Sequence, residues 1–320
     1  MKRSIAAFAL FGLFALTAFA QQTYPSRPIR VVVPYPPGGS GDVVARTIGA
    51  KLTEAWRQQV LVDNKPGAGG NIGSEFVARA AADGYTLLLG TDIQMAINPH
   101  VYRALPYDPE RDFAPVVLGA FVEFVLSVHP SVPAANLAEL IAHVKANPGK
   151  YSYASSGIGS THHLSVEWIK SMTGMSIVHV PYKGSGQVIP DLIAGQVQLS
   201  YAGIPQTMPH VQGGRLKAIA IGASRRLDAA PGVPTVGETL PGFEANAWWS
   251  FFAPAGTPPD LVAKLNGEIN RILLFPEIQE RFASQGLFPI GGAPDKLAAR
   301  MKSDREKWGK VIREIGLRAE

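Results

Sequence analysis

Apolar and polar positions along this chain keep two rhythms. Residues 29–33 are rich in β-branched side chains and predict a buried strand. Residues 42–56 place Val44, Ile48, Leu52 and Trp56 four apart, which predicts a helix with one apolar face. Strands are expected at 59–63 and 85–90, with a loop at 64–70, a short helix at 72–82 and a turn at 83–84 between them. From 113 to 128 the pattern becomes a long apolar run, interrupted by Gly119 and Glu123. Alternation then resumes. Helices are expected at 137–145, 161–172 and 187–194, and strands at 151–154, 177–180, 196–200 and 216–221. An aromatic, extended stretch at 247–253 leads into helical segments at 260–273 and 294–315. Strands alternating with helices predict an α/β fold.

The change of pattern divides the chain into two expected α/β lobes. The first takes residues 24–121 plus 248–320, and the second takes residues 122–247. The chain would pass between them twice, near 119–123 and 246–250, and two crossing strands are the geometry of a hinge. No fixed-period repeat or low-complexity stretch is present.

The first residues change the picture. Lys2 and Arg3 precede a short apolar core, and Ala18-Phe19-Ala20 is a small-x-small cleavage site. Residues 1–20 therefore read as a secretory signal peptide, cut before Gln21, and the mature protein is expected in the periplasm. The 320-residue chain has no cysteine, which removes disulfide and thiol chemistry. Its formal charge is +5. Losing Lys2 and Arg3 leaves about +3, enough to favour small anions but too little and too dispersed for nucleic acid.

The candidate chemistry lies in the turns. VVVPYPPGGSGDVVARTIGAKL runs a strand into Tyr35, two prolines and two glycines, then into a helix. Pro36 and Pro37 fix the backbone and donate nothing. Gly38 and Gly39 let a ligand approach the main chain. Ser40, Gly41 and Asp42 open the helix, where free N–H groups and the positive dipole end suit an anion. Asp42 is better placed to brace the helix end than to touch an anion, since like charges repel.

Alone, such a turn is an ordinary strand-to-helix connection with a capping serine. It has an echo. Ser155, Ser156, Gly157, Ser160 and Thr161 stand between a strand and a helix in the other expected lobe. Two helix ends facing one another would hold a carboxylate without a fixed positive charge. A third turn at 181–186, with Tyr182, is either a cleft wall or a plain loop.

Enzyme signatures are weak. Gly39-Ser40-Gly41 and Gly184-Ser185-Gly186 lack the spacing of a nucleophile elbow. Neither a Walker A motif nor a dinucleotide fingerprint is present. His162, His163 and Glu167 share a helix, but adjacent histidines point apart, which favours capping or packing over a metal site. No cofactor or metal is expected. Trp248-Trp249 reads most simply as core between the lobes, with ligand stacking as the lesser reading.

Several segments together carry a family resemblance. YPSRPIRVVVPYPPGGSGDVVAR, NKPGAGGNIGSEFVARAAADGYTLLLGT, INPHVYRALPYDPERDFAPV, NPGKYSYASSGIGSTHHLSVEWIKSMTG, HVPYKGSGQVIPDLIAGQV and PGFEANAWWSFFAPAGTP follow in order over nearly the whole mature chain. The chain resembles the Bug-type solute receptors of tripartite tricarboxylate transporters. The resemblance implies a two-lobed, type II-like periplasmic binding protein. It implies a small organic acid as ligand, a membrane permease as partner, no catalysis, and a monomer. It also implies that the loops at 36–42 and 155–161 grip the ligand carboxylate. Thr91, Asp92 and Gln94, and the strand end with Ala202 and Gly203, would then select the ligand. Two departures stand out. The family commonly has Phe-Asp where this chain has Tyr201-Ala202, which disfavours an amino-acid ligand unless Asp92 substitutes. It often has Thr or Ser where this chain has Gly41. A receptor that signals to a membrane sensor, and a serine hydrolase served by His162, remain the competing readings.

Overall fold

The computed structural model describes residues 24–182, 185–228 and 230–317. The expected signal peptide, and Lys183 and Gly184 of the third turn, lie outside the described residues. In chain order the first part holds β1 (Ile29–Val33), α1 (Ser40–Trp56), β2 (Val60–Asn64), α2 (Asn71–Ala78), β3 (Thr86–Thr91), α3 (Asn98–Val101) and β4 (Phe113–Val122). The second holds β5 (Phe124–Val128), α4 (Leu137–Lys145), β6 (Ser152–Ser155), α5 (Thr161–Thr173), β7 (Val178–Pro181), α6 (Val188–Ile193), β8 (Leu199–Gly203), α7 (Ile204–Gln212) and β9 (Lys217–Ile221). The third holds β10 (Ala247–Pro254), α8 (Pro259–Leu273), α9 (Pro276–Ser284), β11 (Leu287–Pro289) and α10 (Pro294–Ile315).

The strands form two sheets, one per lobe. The first has the order β11-β4-β10-β3-β1-β2, and the second β7-β6-β8-β5-β9. In the first, β1 lies parallel between β2 and β3, while β10 runs antiparallel to both β3 and β4. In the second, β6 is parallel to β7 and β8, and β5 is antiparallel to β8 and β9. The long apolar run at 113–128 is thus two strands, parted at Glu123, that enter different sheets.

Each sheet is buried by its own apolar cluster. Val31, Val33, Val44, Ile48, Leu52 and Phe251 pack in the first lobe. This explains why positions four apart on α1 are apolar: they are the stripe that meets the sheet. Leu126, Val128, Leu140, Tyr153, Leu164 and Tyr201 pack in the second lobe. Helix α10 belongs to both neighbourhoods. Leu297 and Met301 join a cluster with Trp248 and Phe252, while Trp308, Val311 and Ile312 join that of the second sheet. Among the described residues no helix is long and apolar enough to cross a membrane.

Besides the single-turn α3, two helices escape the sequence pattern. α7 carries Pro205 and Pro209, yet Pro205 sits in the first turn, where a missing N–H costs nothing, and Pro209 is tolerated within the helix. α9 follows α8 after so short a break that its start is marked only by Pro276.

Candidate functional site

At the first loop, Gly38 sits at φ +91°, a conformation that favours glycine. Gly39 is the extended N-cap of α1, and no side chain caps this helix. Its first-turn N–H groups therefore have no side-chain acceptor. The loop is held from behind. Asp42 accepts from Gly38 N–H at 3.2 Å, Arg46 Nε at 2.9 Å and Asn64 Nδ2 at 3.2 Å. The Arg46 hydrogen bond, helped by those from Gly38 and Asn64, holds the Asp42 carboxyl below its ordinary range despite burial.

Trp249 of β10 lies across the start of α1. A Cβ on Gly41 would stand 2.4 Å from its ring, so only glycine fits. The indole Nε1–H donates to Ser40 Oγ at 3.1 Å, which leaves the hydroxyl proton of Ser40 free to donate elsewhere. Tyr35 packs edge-on to Trp249 with ring centroids 5.5 Å apart. Its OH accepts from Gln94 Nε2 at 2.7 Å, and burial pushes its phenol up to about 12. Gln94 also donates to the Gly69 carbonyl and accepts from the N–H and hydroxyl of Thr91.

The second loop is built differently. Ser160 caps α5 by accepting from His163 N–H at 3.2 Å, and donates to the Gly157 carbonyl at 2.7 Å. Ser155 Oγ is 2.7 Å from His179 Nε2. His179 stacks on His163 with centroids 4.1 Å apart, and His163 Nδ1 accepts from Gly159 N–H. Burial pushes the His163 imidazole down to about 4 and lowers that of His179. Thr161 reaches across to the first lobe, donating its hydroxyl to Asp92 Oδ2 at 2.8 Å.

The two helix ends meet on one cavity of about 290 Å³ between the lobes. Tyr35, Ser40, Thr91 and Asp92 line it from the first side, and Ser156, Ser160, Thr161 and Gly203 from the second. Phe124 and His162 close it, edge to face at 4.8 Å. Burial pushes His162 down to about 4, so it meets the cavity as a neutral ring. A larger groove of about 800 Å³ runs outside, between α10 and the start of β4, lined by residues such as Phe113, Met301 and Arg305. Neither signature loop lines it.

Several expected residues stand behind the cavity wall. Pro37, Gly38, Gly39, Gly41 and Asp42 shape the first loop without lining the cavity. Gln94 has its polar atoms engaged with Thr91, Tyr35 and Gly69. Ser155 and Gly157 are bonded to each other, and Ser155 also to His179. Tyr182 donates to Asp191 at 2.6 Å, and Ala202 is buried opposite Val125 in the sheet. The sequence reading did not include Ile93, Val122, Phe124, Gln206 or Ala247 as wall residues, nor the two tryptophans as first choice. Their signal was adjacency, since each neighbours a segment already singled out or a crossing strand. Ser155 and His179 are in contact, but the serine is fully buried and does not line the cavity, so this pair does not face a guest.

The chain matches known proteins over most of its length. Residues 44–317 match the family described as "Tripartite tricarboxylate transporter family receptor". Protein BugT of Bordetella pertussis is 38% identical over 315 residues, covering 96% of this chain and 97% of BugT. The structure of R. palustris Rpa4515 with adipate is 36% identical with a TM-score of 0.80, covering 92% of this chain and 100% of that one. MatC (Rpa3494) from Rhodopseudomonas palustris with bound malate is 33% identical with a TM-score of 0.76, covering 90% and 100%. The matched family is one of receptors rather than enzymes, and the two solved structures share the α/β fold seen here. The chain belongs to the tripartite tricarboxylate transporter receptor family, as a Bug-type solute-binding protein.

Proposed function

We propose that this protein captures a small organic carboxylate in the cavity between its lobes and delivers it to a membrane permease of the tripartite tricarboxylate type. The observation that carries this reading is the meeting of the α1 and α5 N-termini, from separate sheets, on one 290 Å³ cavity. The ligand carboxylate sits against the uncapped start of α1, taking the Ser40 hydroxyl and the first-turn amides, with Ser156 opposite. Charge-assisted bonds of this kind contribute about 1.5–3 kcal/mol each where water is excluded. Contacts to both lobes favour the closed arrangement, which the permease then recognises. The relatives seen with adipate and malate support a carboxylate ligand. The exported, periplasmic form begins after the signal peptide at residue 20 and works as a monomer.

A thermal-shift screen of the mature protein tests the reading. The panel is mono- and dicarboxylates, aromatic acids and amino acids. A ligand at one hundred times its dissociation constant adds about 2.7 kcal/mol of stability. A panel in which no carboxylate moves the melting temperature would sink the proposal.

A further inference from the structure

A second pocket adjoins the cavity that receives the two helix ends. It measures about 340 Å³ and shares Tyr35, Ile93 and Ser160 with that cavity, so the two spaces meet at those side chains. Gly69, Asn98, Val101 and Tyr102 extend its wall on the first lobe, and Ile158 and Gly159 on the second. The crossing strands line the first cavity through Val122, Phe124 and Ala247, and among the described residues they contribute nothing to the second. It therefore lies on the side away from the hinge. Its polar groups are largely engaged. Tyr35 OH accepts from Gln94, Ser160 Oγ donates to the Gly157 carbonyl, and Asn98 Nδ2 donates to Gly69 and Asn71. What the wall offers a guest is hydrocarbon: Ile93, Val101, the Tyr102 ring and Ile158. Ile158 is 66% exposed at the tip of its loop, between Gly157 at φ +127° and Gly159 at φ +77°. A lone exposed isoleucine means little. This one borders a pocket that continues the ligand cavity.

We propose that this pocket is a tail subsite, and that the receptor takes carboxylic acids whose hydrocarbon chain runs past Tyr35 and Ile93 to Val101, Tyr102 and Ile158. This rests on the carboxylate-capture reading above, with the carboxylate held at the α1 end. The division of labour is that of ligand pockets in general: a few placed polar groups orient the guest, and apolar walls supply most of the contact. A short acid fills the first cavity alone and leaves the second to water. Each methylene that passes into the second tightens binding by about three- to four-fold. A second ionised carboxylate at the far end would give up its hydration to a wall that has no lysine or arginine. Because both lobes build that wall, a lodged tail covers Ile158 and adds contacts across the mouth of the cleft.

Isothermal titration of the mature protein decides it, with straight-chain monocarboxylates from propanoate to octanoate and the dicarboxylates of matching length. In the native protein the longer monocarboxylates should gain about three- to four-fold per methylene and bind octanoate at least ~10-fold more tightly than butanoate. Tyr102→Ala and Ile158→Asp should each flatten that climb while butanoate binds as before. A native series that is flat or falls with length overturns the tail subsite and leaves carboxylate capture standing. So does tighter binding of the dicarboxylate than of the monocarboxylate at every length, and so does a climb that survives both substitutions. If no acid binds at any length, carboxylate capture itself fails and this inference falls with it. Ile158 is exposed, so its substitution keeps the test intact even if Tyr102→Ala fails to fold.

Discussion

The two helix ends that meet on the cavity look alike in sequence and differ in construction. At α1 the cap position is a glycine without a side chain, and the Ser40 hydroxyl receives the Trp249 indole while keeping its own proton. At α5 a serine caps the helix, and the hydroxyls of Ser155, Ser160 and Thr161 are all bound within the protein. The first end is left open for a charge. The second has spent its donors on its own loop and on Asp92, with Ser156 as its remaining hydroxyl facing the cavity. A small-residue turn before a helix is thus not sufficient to mark a grip; what the neighbouring side chains have already consumed decides it.

The largest effect should come from closing the open end. Gly41→Ala puts a Cβ into the Trp249 ring, displacing the indole from Ser40. Carboxylate affinity should fall by about 100-fold or more with the circular-dichroism spectrum retained. Native affinity in this variant would refute the placement of the carboxylate. Ser40→Ala should come next, with a loss of ~10- to 100-fold in titration.

The loops should also part company in acid. His163 protonates near 4 in the fold but near 6.5 when unfolded. The unfolded chain therefore binds more protons between those values, and stability falls as pH drops from about 6.5 toward 4. His163→Gln should blunt that loss by about 1–2 kcal/mol in denaturant titrations at pH 5 against pH 7. Asp42 behaves in the opposite sense. Its depressed carboxyl supports the first loop above about pH 4, and that support goes only below it. Hydrogen exchange at pH 5 should find the loop at 156–160 opening before that at 34–39. The reverse order would break the comparison. The smallest effect belongs to Ser160→Ala, with about 1 kcal/mol of stability lost through the missing cap and little change in affinity.

Much of this was legible in the chain. The strand at 29–33, the apolar stripe of α1 and the two Gly/Ser turns are local patterns, and local patterns are what a sequence displays. α1 begins at Ser40, two residues before its apolar stripe would place it, because its first turn holds Ser40 at the cavity, Gly41 under Trp249 and Asp42 against the loop instead of apolar side chains. What stayed hidden depends on residues far apart in the chain. Thr161 finds Asp92 across 69 positions, and Ser40 finds Trp249 across 209. No spacing rule announces such pairs. Gln94 looks available because a sequence shows its polar side chain but not the engagement of that side chain with Tyr35, Thr91 and Gly69. Trp249 could have been filler or wall, and it is both: its ring packs on Gly41 and its edge borders the cavity.

The last helix has a mechanical meaning. A rod of 22 residues is about 33 Å long and does not stretch. Its early apolar anchors, Leu297 and Met301, are sunk in one half of the molecule, and Trp308, Val311 and Ile312 in the other. Pulling the halves straight apart would tear one set of anchors into water. The inexpensive way to gape is a swing that keeps both sets seated, with the rod as its axle. The last helix therefore limits the ways in which the two halves can part.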